Sequence, residues 1–76
     1  MNFISVNSSN IKEVGYSSRR HTLGVVFNAL PKVVYCYPEV PASMVIDMIF
    51  ADSIGSWFNT NIRQYPDIYP YKRIPR

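Results

Sequence analysis

The chain has 76 residues, of which 47% are apolar, and a formal net charge of +3. This length allows one domain with a small core, and it leaves no room for a separate catalytic domain. With one cysteine, no secretory signal and no apolar run near the roughly 18 residues that span a bilayer, we expect a single cytoplasmic domain over residues 1–76 that contacts no membrane.

Three strands are predicted in the first half of the chain. Residues 11–16 and 33–37 are rich in β-branched and aromatic residues, and residues 21–27 alternate so that Leu23, Val25 and Phe27 share one face. Short polar or proline-containing segments separate the three strands, which favours an antiparallel meander. Residues 1–7 are predicted to form an N-terminal extension.

Two helices are predicted to follow. Pro41 suits the first turn of a helix, in which the apolar residues recur at three- and four-residue spacing: Met44, Val45, Met48, Ile49 and Ala51. A second helix over residues 55–62 begins after Asp52 or Ser53, either of which can cap it, and buries Trp57, Phe58 and Ile62. The sequence therefore predicts an α+β domain, a three-stranded antiparallel β-meander packed on one face by two helices.

The last part of the chain carries the whole charge imbalance. The charges balance up to residue 62, and the net +3 comes from residue 63 onward. Prolines at positions 66, 70 and 75 exclude a continuous helix, so residues 64–76 are predicted to form a basic aromatic C-terminal tail. Its cations can attract phosphate or acidic surfaces and its tyrosines can stack on bases. Alternatively, the tail packs its tyrosines onto its own domain.

The residues needed for catalysis or metal binding are sparse. His21 has no evident carboxylate partner, and Cys36 lies between two tyrosines in a predicted strand. No Cys/His spacing resembles a zinc site, and no glycine-rich loop could hold phosphate. We therefore expect a protein that is not an enzyme and that needs no metal and no cofactor.

Seven segments of the chain together resemble a known family. They are SSNIKEVGY at 8–16, TLGVVF at 22–27, YCY at 35–37, VP at 40–41, ADSIG at 51–55, WFNTNIR at 57–63 and YPYKRI at 69–74. Their order and spacing resemble the KTSC domain, a small domain also found at the C-terminus of some lysyl-tRNA synthetases. The resemblance covers residues 8–74 and implies a free-standing phage or bacterial member of that family.

The resemblance also implies positions for a binding site. Tyr35 and Tyr37 are similar to the central aromatic pair of the family. Asn59, Ile62 and Arg63 resemble its Asn-x-x-Ile-Arg element, and its basic aromatic ending is matched by Tyr69, Tyr71, Lys72 and Arg73. With Arg76, these residues give the predicted site for nucleic acid or an acidic surface: Tyr35, Tyr37, Arg63, Tyr69, Tyr71, Lys72, Arg73 and Arg76. The alternative for the tyrosine pair is that both rings cover the core beneath the helices.

One departure from the family pattern predicts a second surface. Ile46, Phe50 and Ile54 replace residues that are polar in the family, and on a continuing helix they would form one stripe, the docking stripe. Other residues of the same helix, Met44, Val45, Met48 and Ile49, already supply a face for the core, so the docking stripe is not needed for burial. Exposed apolar patches often mark protein-binding sites. The alternative is a wider core, or a break near Asp52 that turns Ile54 inward.

Two functions are compatible with these features. In the first, the chain is a protein-docking regulator of the gene-expression machinery, and the resemblance to phage and bacterial members implies host RNA polymerase as the partner and initiation or termination as the step affected. In the second, it is an RNA-binding module in which Tyr35 and Tyr37 stack bases and the basic tail contacts phosphates. A monomer or a weak homodimer through the docking stripe is compatible with both.

Overall fold

The computed structural model describes all 76 residues and has an α+β fold with a five-stranded antiparallel sheet. The strands follow the chain in order from one edge of the sheet to the other, β1-β2-β3-β4-β5. The elements are β1 Phe3–Ser5, β2 Ile11–Ser17, β3 Thr22–Phe27, β4 Val33–Tyr37, α1 Ala42–Ile49, α2 Ile54–Phe58, a π-helical turn over Asn59–Arg63 that continues α2, and β5 Lys72–Pro75. Neither helix has the length and apolar character that crossing a bilayer would require.

The prediction of a three-stranded sheet was wrong, because an extra strand lies at each edge. β1 falls in the predicted N-terminal extension and pairs with β2, so that Phe3 lies opposite Gly15. β5 falls in the predicted tail and pairs with β4, so that Pro75 lies opposite Val33. The prolines of the tail exclude a helix but not an edge strand, where a residue without an N–H donor is tolerated.

The helices cover one face of the sheet and form the core with it. Leu23, Val25 and Phe27 alternate with Gly24 and Val26 along β3, and the three alternate residues face the helices. The core cluster also contains Ile11, Val14, Tyr37, Val40, Val45, Met48, Phe58 and Ile62. Complete burial of a large apolar side chain stabilises the fold by about 1.5–3 kcal/mol.

A β-bulge explains how two residues of β2 reach the same core. Ile11 and Val14 are three residues apart, which in a regular strand would place them on opposite faces. The pairing of β2 with β3 shifts between Ile11 and Glu13. The extra residue at this point turns both apolar side chains toward the helices, where Ile11 is 0% and Val14 is 2% exposed.

The N-terminal segment covers part of the other face of the sheet. Gly15 and Gly24 lie opposite one another on β2 and β3. A Cβ at Gly24 would lie 2.7 Å from Met1 Sδ and 3.0 Å from Phe3 Cε1, so the absence of a side chain lets the first residues lie flat on the sheet. The first residues of the chain therefore belong to the folded domain.

Candidate functional site

The π-helical turn after α2 determines where Arg63 lies. α2 begins after Ser53, whose Oγ accepts a hydrogen bond from the Ser56 N–H at 3.2 Å. The wider turn that follows buries Ile62 completely and brings the Arg63 guanidinium to 5.2 Å from the centre of the Phe27 ring. π-helical turns are rare in proteins, and those that occur are often found at functional sites. Arg63 is therefore a candidate binding residue.

Five aromatic rings form a continuous cluster beside Arg63. The ring centres of Phe27 and Tyr35 are 5.1 Å apart, and those of Tyr35 and Tyr71 are 5.0 Å apart. Tyr37 joins the cluster through Phe58 at 5.3 Å and Tyr71 at 5.8 Å. The edge-to-face and tilted arrangements are those in which aromatic pairs attract one another. The cluster fixes the C-terminal segment against β4.

Tyr35 and Tyr37 lie on the helix-covered face of β4, but their environments differ. Tyr37 is 2% exposed, and its burial raises the pKa of its hydroxyl to about 12, against a smaller opposite effect of Arg63. Tyr35 is half-buried, with the Phe27 and Tyr71 rings beside it and the Arg73 guanidinium 5.6 Å from its ring centre. Tyr37 therefore presents no free ring face to a ligand, and the surroundings of Tyr35 are largely occupied.

Two adjoining depressions flank Arg63 and together form the Arg63 groove. They share Phe27, Tyr35 and Arg63. The larger, of about 330 Å³, is completed by Ser9, Asn10, Asn28, Ala29 and Leu30. The smaller, of about 100 Å³, is completed by Tyr37, Pro66, Tyr69 and Tyr71.

The larger depression joins two loops that are far apart in the sequence. The Asn28 N–H donates to the Asn10 carbonyl at 2.9 Å, and the Asn28 Nδ2 donates to the Ser9 carbonyl at 3.1 Å. These loop residues were not predicted as part of a site, because no local sequence pattern indicates that the β1–β2 loop meets the β3–β4 turn. The proline-containing turn predicted directly after residues 21–27 was the only available signal.

The remaining predicted binding residues are divided between the two faces. Tyr69 is half-buried and its hydroxyl donates to Met44 Sδ at 3.2 Å, whereas Tyr71 is 51% exposed. Lys72 lies opposite Cys36 on the face away from the helices. The structure thus brings together six of the predicted residues and separates Lys72 and Arg76 from them: Tyr35, Tyr37, Arg63, Tyr69, Tyr71 and Arg73.

The charged partners of the arginines differ as well. Arg76 forms a bidentate ion pair with Glu13, which is the only ion pair of the chain. Arg63 and Arg73 have no acidic partner and hold only the aromatic contacts with Phe27 and Tyr35. Two guanidinium groups are therefore available for an anion on the helix-covered face.

The docking stripe is divided by the end of α1. α1 ends at Ile49, and Phe50 follows it with an N–H that donates to the Ile46 carbonyl at 3.1 Å. Ile46 is 56% and Phe50 is 83% exposed, whereas Ile54 begins α2 and packs against the core cluster. The break between the helices leaves two members of the stripe, Ile46 and Phe50, in solvent.

The groups that could perform chemistry lie apart from one another. Cys36 is half-buried, and burial raises the pKa of its thiol, which lowers its reactivity as a nucleophile. His21 is exposed in the β2–β3 turn. No three metal-ligating side chains come together in the chain. What the helix-covered face does present is a group of aromatic rings with two guanidinium groups that have no acidic partner.

The comparisons with known proteins agree with this fold. The model of the KTSC domain matches residues 7–65. A protein of Stutzerimonas stutzeri (strain A1501), described as an uncharacterized protein, is 32% identical over 74 residues, which are 97% of this chain and 99% of that protein. The crystal structure of a KTSC domain protein from Yersinia pestis superposes with a TM-score of 0.85 at 25% identity and covers 96% of each chain. The chain belongs to the KTSC domain family.

Proposed function

We propose that this chain is a non-catalytic protein-docking module that binds bacterial RNA polymerase and modulates transcription. The observation that carries the proposal is the exposure of Phe50, which is 83% accessible beside Ile46 at 56%. Aromatic residues are enriched where proteins bind one another, and a few buried anchors supply most of the binding energy. Phe50 has the size and the exposure of such an anchor.

The charge of the module supports the same function. Arg63 and Arg73 have no acidic partner within the chain, and the net charge is +3. Positive charge on the module increases the rate at which an acidic partner surface is found, and burial of an apolar anchor then slows dissociation. RNA polymerase is proposed as the partner because of the family resemblance.

The test is direct binding to purified bacterial RNA polymerase. We expect wild type to bind and Phe50→Asp to bind at least tenfold more weakly, since loss of a buried aromatic anchor costs about 2 kcal/mol or more. Ile74→Asp is the matched control, because Ile74 is 47% exposed on the face of the sheet away from the helices. Thermal unfolding of each variant verifies its fold.

Two results would contradict the proposal. One is an absence of binding to RNA polymerase by the wild-type chain. The other is equal weakening by Phe50→Asp and Ile74→Asp, which would show that the effect does not depend on the exposed end of α1. Run-off transcription with the purified enzyme then tells whether initiation or termination changes.

RNA binding is the second candidate function, and the free guanidinium groups of Arg63 and Arg73 favour it. Tyr71, 51% exposed on the same face, could supply a ring for a base. Two phosphate contacts on a single strand would give a log–log salt slope of about −1.4. Titration of a single-stranded RNA at several salt concentrations measures that slope, and an absence of binding at low salt rejects this function.

A further inference from the structure

The Arg63 groove has the composition of a site for one anionic group carried on an apolar segment. A single guanidinium, that of Arg63, lies where the two depressions meet, and no acidic residue lines either of them. Apolar or aromatic residues line part of both depressions, with Leu30 beside polar residues in the larger one and Pro66, Tyr69 and Tyr71 in the smaller one. The centre is therefore cationic, and the flanks favour apolar side chains.

The orientation of Arg63 suits a carboxylate. Its guanidinium is held over the Phe27 ring at 5.2 Å, which restrains the side chain without using its N–H donors for an ion pair. A planar guanidinium that is already positioned loses less freedom when it binds a carboxylate through two parallel hydrogen bonds. Asn28 donates through Nδ2 to the carbonyls of Ser8 and Ser9, and its Oδ1 accepts no bond within the chain. That oxygen can accept from the backbone of a bound peptide.

The same geometry disfavours a nucleic acid strand in this groove. Single-strand binding combines a row of cations with open ring faces on which bases stack. The groove contains one cation, the Phe27 ring is covered by Arg63, and Tyr35 already contacts Phe27, Tyr71 and Arg73. Tyr71, which is 51% exposed, is the one ring of the groove that remains open to a base, and a single ring does not make a stacking row.

We infer that the Arg63 groove binds an extended segment of a protein in which one aspartate or glutamate is flanked by apolar residues. The carboxylate pairs with Arg63, and the flanking side chains occupy the two depressions. This site does not depend on the docking of Phe50 or on RNA polymerase as the partner.

The experiment is an NMR titration of the ¹⁵N-labelled chain with acetyl-Gly-Leu-Glu-Leu-Gly-amide. A second peptide that has glutamine in place of glutamate keeps the shape and removes the charge. We expect the acidic peptide to shift the resonances of the Arg63 side chain and of the backbone at Asn28 and Leu30. The glutamine peptide should bind at least tenfold more weakly, as the loss of a charged hydrogen-bonded pair predicts.

Variants locate the site. Arg63→Gln should weaken binding of the acidic peptide at least tenfold, and Arg63→Lys should weaken it less, because it keeps the charge but not the two-pronged geometry. Arg19→Gln removes the same charge from the β2–β3 turn, at the opposite end of β3 from the groove, and should have no effect. Phe50→Asp should also leave peptide binding unchanged, which separates this site from the docking surface.

Several outcomes would overturn the inference. They are no shifts with the acidic peptide at millimolar concentration, equal binding of both peptides, equal weakening by Arg19→Gln and Arg63→Gln, or tighter binding of an octauridylate strand at the same resonances. The last result would assign the groove to RNA. Arg63→Gln alone is not a sufficient variant, since loss of the cation over Phe27 can lower the stability of the fold. Arg63→Lys keeps a cation there, so its weaker binding of the acidic peptide reports the loss of the two-pronged geometry and not a loss of fold.

Discussion

Arg76 and Glu13, 63 positions apart in the chain, are joined by two hydrogen bonds of 2.6 Å each. Arg76 follows the edge strand β5, whereas Glu13 lies on β2, and the Arg76 guanidinium also lies 5.1 Å from the centre of the Phe3 ring on β1. The last residue therefore crosses the face of the sheet that the helices leave open. Together with Met1 and Phe3, it covers part of the side of the sheet opposite the core.

This ion pair should make stability depend on pH in the acid range. The hydrogen bond from Arg76 lowers the pKa of Glu13 below its ordinary value. A carboxyl group with a lowered pKa in the folded state stabilises the fold above its ordinary pKa, and the contribution is lost as the pH falls through the lowered value. Urea unfolding between neutral and acid pH should therefore show a steeper loss for wild type than for Glu13→Gln.

A double-mutant cycle with Arg76→Ala is the control for that prediction. If the two residues act as a pair, the combined variant should lose less stability than the two single variants lose in sum. Strict additivity would show that the pair contributes nothing in solution, which is common for exposed ion pairs.

Local patterns were sufficient to predict the centre of this fold but not its edges. The strand Val33–Tyr37 was predicted with its observed bounds, and the alternation of Leu23, Val25 and Phe27 gave the core face of β3 correctly. The helix spacing placed Val45 and Met48 in the core, where the structure has them. β1 and β5 were missed because they are short and because their place in the sheet depends on pairing with strands that are already formed.

The candidate site was predictable in its composition and not in its arrangement. The charge count indicated the basic C-terminal segment. Successive residues of a strand face opposite sides of the sheet, but this rule could be applied to Lys72 and Arg73 only once β5 was known to be a strand. Nor could it show that Glu13 would pair with Arg76, since nothing local relates residues so far apart.

Alkaline pH should destabilise the fold through Tyr37. Burial raises the pKa of this tyrosine to about 12, whereas in the unfolded chain it is about 10. The stability is therefore complete below about pH 10 and is lost as the pH rises toward about 12, at about 1.4 kcal/mol per pH unit for one group. Urea unfolding at pH 8, 10 and 11 should show a smaller loss for Tyr37→Phe than for wild type. Equal losses in the two proteins would contradict the assignment.

Gly55→Ala should destabilise the chain although alanine is the better helix former. A Cβ at Gly55 would collide with Asn10 Oδ1 and lie 3.2 Å from Ser8 Oγ. The Asn10 side chain would therefore have to turn away from α2, which breaks the hydrogen bond that its Oδ1 accepts from the Ser8 hydroxyl. Such overpacking costs about 1–3 kcal/mol. Over most of that range the cost is larger than the gain of about 1 kcal/mol in helix propensity that alanine brings. The thermal midpoint measures the effect. Ser56→Ala, at the exposed neighbouring position, should change the free energy of unfolding by less than about 0.5 kcal/mol.

Two substitutions in and beside α1 should show that this segment has one buried and one free apolar side. Met48 is 0% exposed in the core, and Phe50 is 83% exposed just beyond the last residue of the helix. Met48→Ala should lower the free energy of unfolding by about 2–5 kcal/mol, since it leaves a cavity. Phe50→Ala should change it by less than about 0.5 kcal/mol, although phenylalanine is the larger side chain. Urea unfolding of the isolated chain measures both values at a low protein concentration. A large loss for Phe50→Ala that grows with protein concentration would mean that Phe50 is buried between two copies of the chain, because only association makes stability depend on concentration.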